Sequence, residues 1–302
     1  MKCLVVVNPN SGRGRILRKL DLIKSRLCTK FDAVDIMYSK AKGHIKEIIK
    51  LNVKNYHTII VCGGDGSIHE AVNGYVAVKS DCTLGFIPCG TINDFAKNLG
   101  FSRDVNKCLD IIVDGNVDYV DLINNNGITG AYVCTFGTFT SCSYATSQRD
   151  KKIIGSIAYV CYAIRDFFIA KNKQVNILLN GKTVQKNVSL ALVFNSRTIG
   201  GLSIDKRANL KDGKLELVVF CDKPNKARIS WASFFRIFKV FLFGKDSIKP
   251  NENIIIESVS NVKIYAEDKL DVNMDGEKVD AQDINVSILP KRLKVYAKTT
   301  EK

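Results

Sequence analysis

The sequence predicts a doubly wound α/β domain over residues 1–124 and a mainly antiparallel β-sandwich domain over residues 125–302, with the last C-terminal residues free to pack back on the first domain. Three observations carry that prediction. Up to about Asn124, short β-branched runs alternate with stretches whose apolar residues recur at helical spacing, the pattern of a parallel sheet covered on both faces. Beyond Asn124, short apolar runs follow one another across turns such as Asn180-Gly181, the pattern of antiparallel pairs. A chain of 302 residues is also long enough for two cores of ordinary size.

The first part reads in order. "KCLVVVN" is a strand, and residues from about Arg15 to Leu27 form a helix with Ile16, Leu20, Ile23 and Leu27 on one face. "AVDIMYS" is the second strand and "GHIKEIIKL" the second helix. After the third strand, "TIIVC", a helix opens past Gly66 with Ser67 at its N-cap and Glu70 at capping-box spacing. "TLGFIPC" is the fourth strand, a short helix opens near Asn93, and the helix "DVNKCLDIIVDG" precedes the strand "VDYVDLI". The second part holds short strands at "AYVCTFGTFT", "QVNILLNGKTV", "NVSLALVFN", "KLELVVFCD", "NIIIESV", "VKIYAED", "KLDVNMDGEKV" and "INVSILP". Helices interrupt them near "GSIAYVCYAIRDFFI" and at "KARISWASFFRIFKVFLF". The join between the two domains is the natural place for a cleft.

Composition bounds the function. Hydrophobic residues make up 46% and charged residues 25%, as in a soluble globular protein. A net charge of +15 favours a polyanionic partner: nucleic acid, an anionic membrane surface or phosphorylated small molecules. The ten cysteines include no C-x-x-C pair and most stand singly in apolar runs, so they read as buried thiols. With no secretory signal peptide, the expected compartment is a reducing cytoplasm. His44, His57 and His69 form no zinc pattern, and no stretch is apolar and long enough to span a membrane.

Three glycine-bearing loops follow strands of the first domain: "NPNSGRGR", "VCGGDGSIHE" and "PCGTIND". Gly63, Gly64 and Gly66 permit close backbone approach, and a helix follows them directly. Free amides and the positive end of a helix dipole then face one point, which suits a phosphate. The first loop lacks the Gly-Lys-Ser/Thr ending of a Walker A motif, and alone it reads as an ordinary turn. Three such loops on one parallel sheet converge on the same edge. Asp65, Asp94 and Asp121 stand at or just past strands in successive units, and carboxylates beside a phosphate are what magnesium with retained waters requires. N-capping explains Asp65 and Asp94 individually, whereas Asp121 has no helix to cap.

"NPNSG", "GGDGSIHEAVNG" and "PCGTINDFAKNLG" resemble the three signatures of the diacylglycerol kinase catalytic family, soluble bacterial lipid kinases above all. "KKIIGSIAYV", "FNSRTIGG", "RANLKDGKLELVVF" and "NMDGEKV" follow in the family's order, so the resemblance covers nearly the whole chain. It implies an ATP-binding first domain. ATP would lie against Asn8, Pro9, Asn10, Ser11 and Gly12, and against Gly63, Gly64, Asp65, Gly66, Ser67, Ile68, His69 and Glu70, with Ser39, Thr91 and Asn93 contributing. It further implies that Asp65, Asp94 and Asp121 organise magnesium-bound water, and that Glu277 is the general base on a lipid hydroxyl. A second, structural magnesium would be held by the Asp212 carboxylate and the carbonyls of Asn209 and Lys214. Ser67 and His69 stand where the family commonly has threonine and asparagine.

The resemblance makes the partner a lipid substrate at an anionic membrane surface on the cytoplasmic side, with no nucleic acid expected and with homodimerisation, common in such kinases. The helix at "KARISWASFFRIFKVFLFGK" is apolar around most of its circumference, with Arg228, Arg236 and Lys239 along one stripe. That describes a buried helix with a cationic edge equally as well as an interfacial one. Arg13, Arg15, Arg18, Lys19, Lys24 and Arg26 add basic charge at the first helix. The enzyme alternatives are a related kinase acting on a sphingoid base, another glycerolipid or NAD. The non-enzyme alternative is a basic protein binding membranes or nucleic acid; it accounts for the charge and leaves the three loops unexplained.

Overall fold

The computed structural model describes residues 1–138 and 170–298, with residues 280–282 described by their backbone alone. Four parallel strands open the chain: β1 (Lys2–Val7), β2 (Ala33–Tyr38), β3 (Thr58–Gly63) and β4 (Thr83–Pro88), in the order 2-1-3-4. β3 and β4 are buried at every position, and β1 at every position after Lys2, as their near-continuous apolar runs demand. The chain leaves β1 to one side for β2 and returns across it for β3, so the loops after β1 and β3 part and a crevice opens between them. Helix α1 (Leu20–Leu27) packs on α5 (Val105–Asp114), and α2 (His44–Asn52) on α3 (Asp65–Val76). A short helix, α4 (Asp94–Asn98), follows β4.

Two local expectations are corrected. The first helix does not run smoothly from Arg15: Gly12, Arg13 and Gly14 all take left-handed φ, which kinks a 3-10 segment over Ser11–Lys19 before α1 begins. The capping box at α3 does not form either. The helix starts at Asp65 behind an extended Gly64, and Ser67 lies buried inside it, its hydroxyl accepting from Asn8 Nδ2 at 2.9 Å. Glu70 turns to the neighbouring helix, its two oxygens accepting from the amides of Gly43 and Ile45 at 2.8 and 3.1 Å. It therefore caps α2, which has no cap of its own because Gly43 precedes it.

In the second part, some of the short strands expected merge into longer ones and further short ones appear. β5 (Val117–Asn125), β6 (Ile128–Gly130) and β7 (Val133–Gly137) come first. β8 (Lys173–Leu179) and β9 (Lys182–Phe194) form the hairpin signalled by Asn180-Gly181, both at positive φ. β10 (Thr198–Ile199) and β11 (Leu202–Ser203) make a small separate ribbon, and β12 (Leu215–Asp222) precedes β13 (Ile254–Val259). "VKIYAED" and "KLDVNM" are one strand, β14 (Asn261–Met274), with a register shift absorbing the charged residues between Tyr265 and Leu270. β15 (Glu277–Tyr296) runs for 20 residues, shifting register between Leu289 and Leu293, where Lys291 takes φ 49°. It pairs with β14, then β5, and at Val295 with Leu84 of β4, joining the parallel strands. Helix α6 (Trp231–Phe243) lies beside β11 and β12. The helix expected near "GSIAYVCYAIRDFFI" falls outside the described residues. All described cysteines are free thiols, and only Cys28 is exposed.

Candidate active site

The three loops expected to converge do so. Asn8 donates through its amide nitrogen to β3's carbonyl at Cys62, 2.9 Å, and through its side chain to Ser67, which ties the first loop to α3. Gly12 must be glycine: a Cβ there would stand 2.3 Å from the Cys89 carbonyl oxygen, at a φ of 58°. Gly64 presses on the third loop in the same way, its place for a Cβ being 3.1 Å from Gly90 Cα. The loops are therefore locked backbone to backbone, which leaves amides rather than side chains facing outward.

Between them lies a cleft of about 330 Å³ lined by Asn8, Asn10, Ser11, Ser39, Lys40, Ala41, Lys42, Ile45, Gly64, Gly66, Ser67, Glu70 and Glu277. Nine of these residues were expected at the site from sequence; Lys40, Ala41, Lys42 and Ile45 were not, since "YSKAKGH" reads only as a strand-to-helix turn. Glu277, the first residue of β15, reaches back over the glycine loop. A Cβ on Gly66 would lie 3.5 Å from its Oε1, and Lys42 Nζ donates to its Oε2 at 2.6 Å. The hydrogen bond and charge of Glu277 raise the Lys42 ammonium above its ordinary range.

Other expected residues hold the cleft without facing it. Ile68 is core, 1% exposed. Asn93 is fully buried in a left-handed conformation; its side chain accepts from the Gly90 amide at 2.9 Å and donates to the Gly90 carbonyl at 2.8 Å, closing the third loop. Thr91 is exposed, and its carbonyl accepts from Arg103. Gly63 ends β3, where a Cβ would meet Ser67 at 2.3 Å. His69 points away from the cleft to Asp275, 2.8 Å from Nδ1 to Oδ2.

The three aspartates do not form one cluster. Asp65 and Asp94 are neighbours: Asp65 Oδ2 accepts the Asn93 amide at 2.7 Å, and its buried Oδ1 has no protein partner. Burial pushes the Asp65 carboxyl up to about 6, with the charges of Asp94 and Asp275 acting the same way against the amide hydrogen bonds. Asp94, raised by burial, accepts from Thr198 Oγ1 at 2.8 Å and the Gly201 amide at 3.1 Å. Asp121 sits elsewhere because β5 pairs antiparallel with β15 and does not extend the parallel sheet. Its oxygens accept from the amides of Gly213 at 2.8 Å and Lys291 at 2.7 Å. It thus pins the exposed turn carrying Asn209, Asp212 and Lys214, in which Asp212 Oδ1 accepts from the Lys214 amide at 3.1 Å and Asn209 Oδ1 from the Lys211 amide at 3.2 Å. Among the described residues, no three His, Cys, Asp or Glu side chains gather as a metal site.

Residues 2–125 match the family model of the diacylglycerol kinase catalytic domain, and residues 140–297 that of the YegS C-terminal NAD kinase beta sandwich-like domain. Diacylglycerol kinases of Bacillus subtilis (strain 168) and Staphylococcus carnosus (strain TM300) are each 28% identical to the chain, over 90% and 97% of its length and 88% and 94% of theirs. A crystal structure of a diacylglycerol kinase from Bacillus anthracis strain Sterne shares the fold, with a TM-score of 0.76 at 22% identity over 98% of this chain and 97% of that one. Matched along both parts, with the loops of its catalytic domain closed around a single cleft, the chain belongs to the diacylglycerol kinase family and is a lipid kinase.

Proposed function

We propose that the chain transfers the γ-phosphoryl group of ATP to the free hydroxyl of diacylglycerol, yielding phosphatidic acid, with Glu277 as general base. The observation that carries this reading is the place of Glu277: a carboxylate from the second half of the chain, in the same cleft as the amides of Gly64 and Gly66 from the first. Phosphoryl transfer asks a protein mainly for positioning and charge neutralisation. The loops at Asn8–Gly12 and Gly63–Ser67 hold the triphosphate, and Lys42, paired with Glu277, supplies a cation at the mouth. Glu277 takes the hydroxyl proton as oxygen attacks phosphorus, a role typically worth about 10²–10⁴-fold in rate.

Magnesium fits the residues present. The buried, unpartnered Oδ1 of Asp65 is an acceptor in want of a donor, such as a metal-bound water, and Asp94 lies beside it. Bound there, the ion would neutralise phosphate charge, and Asp65 and Asp94 would orient its waters. Asp121 would contribute through the turn it pins, where the Asp212 carboxylate with the carbonyls of Asn209 and Lys214 would supply a hard oxygen set to a second magnesium. The order 2-1-3-4 and the two helix pairs support a doubly wound first domain.

No helix among the described residues is long and apolar enough to cross a membrane. The reading of a peripheral enzyme at the inner, anionic membrane face rests on the net charge and on α6. Ser233, Ile237 and Val240 bury one side of that helix, while Phe235 and Phe238 on the other are 61% and 47% exposed. The test is transfer of labelled γ-phosphate from ATP, in mixed micelles, to diacylglycerol, monoacylglycerol, phosphatidylglycerol, ceramide or sphingosine, with NAD as soluble control. Labelled phosphatidic acid that vanishes with Glu277→Gln is the expected result. Label on another acceptor replaces the substrate, and no label from folded, lipid-binding protein refutes the enzyme reading.

A further inference from the structure

His69 lies on the helix of the glycine loop yet makes no contact with the cleft. Its Nδ1 meets Asp275 Oδ2 across 206 residues of sequence, and it is only 14% exposed where Asp275 is 1% exposed. Asp275 is the first residue of the two-residue turn that joins β14 to β15, with φ 52° at Asp275 and 93° at Gly276, so Glu277 is fixed wherever this turn is fixed.

The turn is anchored from two sides. The Asp275 carboxylate accepts from the backbone amides of Ala131, Tyr132 and Val133, at 2.5, 3.0 and 3.2 Å. Gly130 lets it approach: a Cβ there would meet Met274 Cε at 2.6 Å and Asp275 Oδ2 at 3.4 Å. Those contacts tie the turn to the second half of the chain alone. His69 joins the turn to the helix that presents the phosphate loop. Asn73, one turn further along α3, donates to the His69 carbonyl and to the Thr129 carbonyl, each at 2.9 Å, and so closes a ring from α3 through residues 129–133 to Asp275. Lys42 also meets Glu277, but with its side chain 81% exposed that pair is weak.

We propose that His69 is a positioning residue of the phosphoryl-transfer reaction: donating from Nδ1 to Asp275, it sets the height of the Glu277 turn above the glycine loop, and it acts on the general base through that turn without touching nucleotide. The inference rests on the reading of Glu277 as base. Burial works against a charged imidazole here, but the hydrogen bond to Asp275 and the charges of Asp275, Glu277 and Glu70 outweigh it and raise the His69 pKa.

Two variants of the full-length chain test this. His69→Leu removes the donor with little change in bulk; His69→Asn places an amide N–H where Nδ1 stands. Steady-state phosphorylation of diacylglycerol is measured at varied ATP, together with hydrogen–deuterium exchange over residues 273–279 without ATP. The expected result for His69→Leu is a fall in kcat of about 10–100-fold, the scale of a misplaced catalytic group, with KM for ATP and melting temperature near wild type and faster exchange in the turn. His69→Asn should recover both kcat and slow exchange. Unchanged kcat and exchange in His69→Leu would overturn the proposal, as would a rise in KM for ATP with kcat intact, which would put His69 on the nucleotide. The exchange measurement decides the clasp by itself, so a wild type that phosphorylated no lipid would refute the kinase reading separately.

Discussion

Asp65 shows how a functional residue can be recognised by its cost. A carboxylate with one buried oxygen unpartnered, close to Asp94 and Asp275, destabilises its own fold. Its pKa in the folded protein is about 6 against an ordinary 3.8, so the folded state holds the proton more tightly than the unfolded one. The stability linked to this group is therefore complete below about 3.8 and is lost as pH rises through about 6, a difference on the order of 3 kcal/mol. Asp65→Asn keeps an acceptor for the Asn93 amide and removes the charge. It should melt higher than wild type at pH 8, lose that advantage toward pH 4, and have no kinase activity. Thermal melts at the two pH values decide it: a variant no more stable at pH 8 would mean that the charge is compensated in the folded protein. The sequence singles out Asp65 and Asp94 by their places at the ends of strands, and Glu277 only through the resemblance of "NMDGEKV" to the family. It is silent on Lys42, which lies in no glycine loop and meets Glu277 from a distant segment, and on the role of Asp275, whose partners His69 and Ala131 lie far from it in sequence.

Element by element, legibility followed the range of the forces at work. Strands β1 to β4 and helices α2 and α5 were readable because burial imposes a local period. Glu70 was misread because its partners lie on another helix, and β14 and β15 because their charged or proline-bearing stretches sit in register shifts that only pairing reveals. Helix α6 was legible as apolar but not as two-faced. Its first turn is fixed by Asp222, which accepts from Ser230 and Ser233, and this settles which side is buried. The outward side carries Phe235, Phe238 and Leu242, and from Lys226 to Gly244 the sequence has Lys226, Arg228, Arg236 and Lys239 with no acidic residue. Each phenylalanine withdrawn from water is worth about 1.5–3 kcal/mol. Phe235→Glu with Phe238→Glu should therefore weaken binding to phosphatidylglycerol vesicles by about tenfold or more, at unchanged melting temperature. Vesicle binding that survives the pair, with a dimer lost on size-exclusion chromatography, would give this face to a second copy of the chain instead.

At the scale of the whole molecule, the two halves do not behave as beads on a string. β15 begins at the turn that bears Glu277 and ends against Leu84 of the parallel strands, while one core unites Val5, Ile60 and Phe86 with Val218, Phe220, Ile237 and Val240. Val295, Leu293 and Leu84 are completely buried at that junction. A core shared in this way gives neither half a surface it could expose cheaply, so the described parts should unfold together. The single tryptophan, Trp231, reports on the second half; amide exchange at Val5 and Ile60 reports on the first. Urea titrations followed by both probes should give coincident midpoints. Val295→Asp, which puts a charge into the junction, should lower both midpoints by a similar amount, since an uncompensated buried charge destabilises every contact that depends on the closed core. Midpoints that separate in the wild type would show two folding units. The cleft between Gly66 and Glu277 could then open without global unfolding, and product release would become a motion of one half against the other.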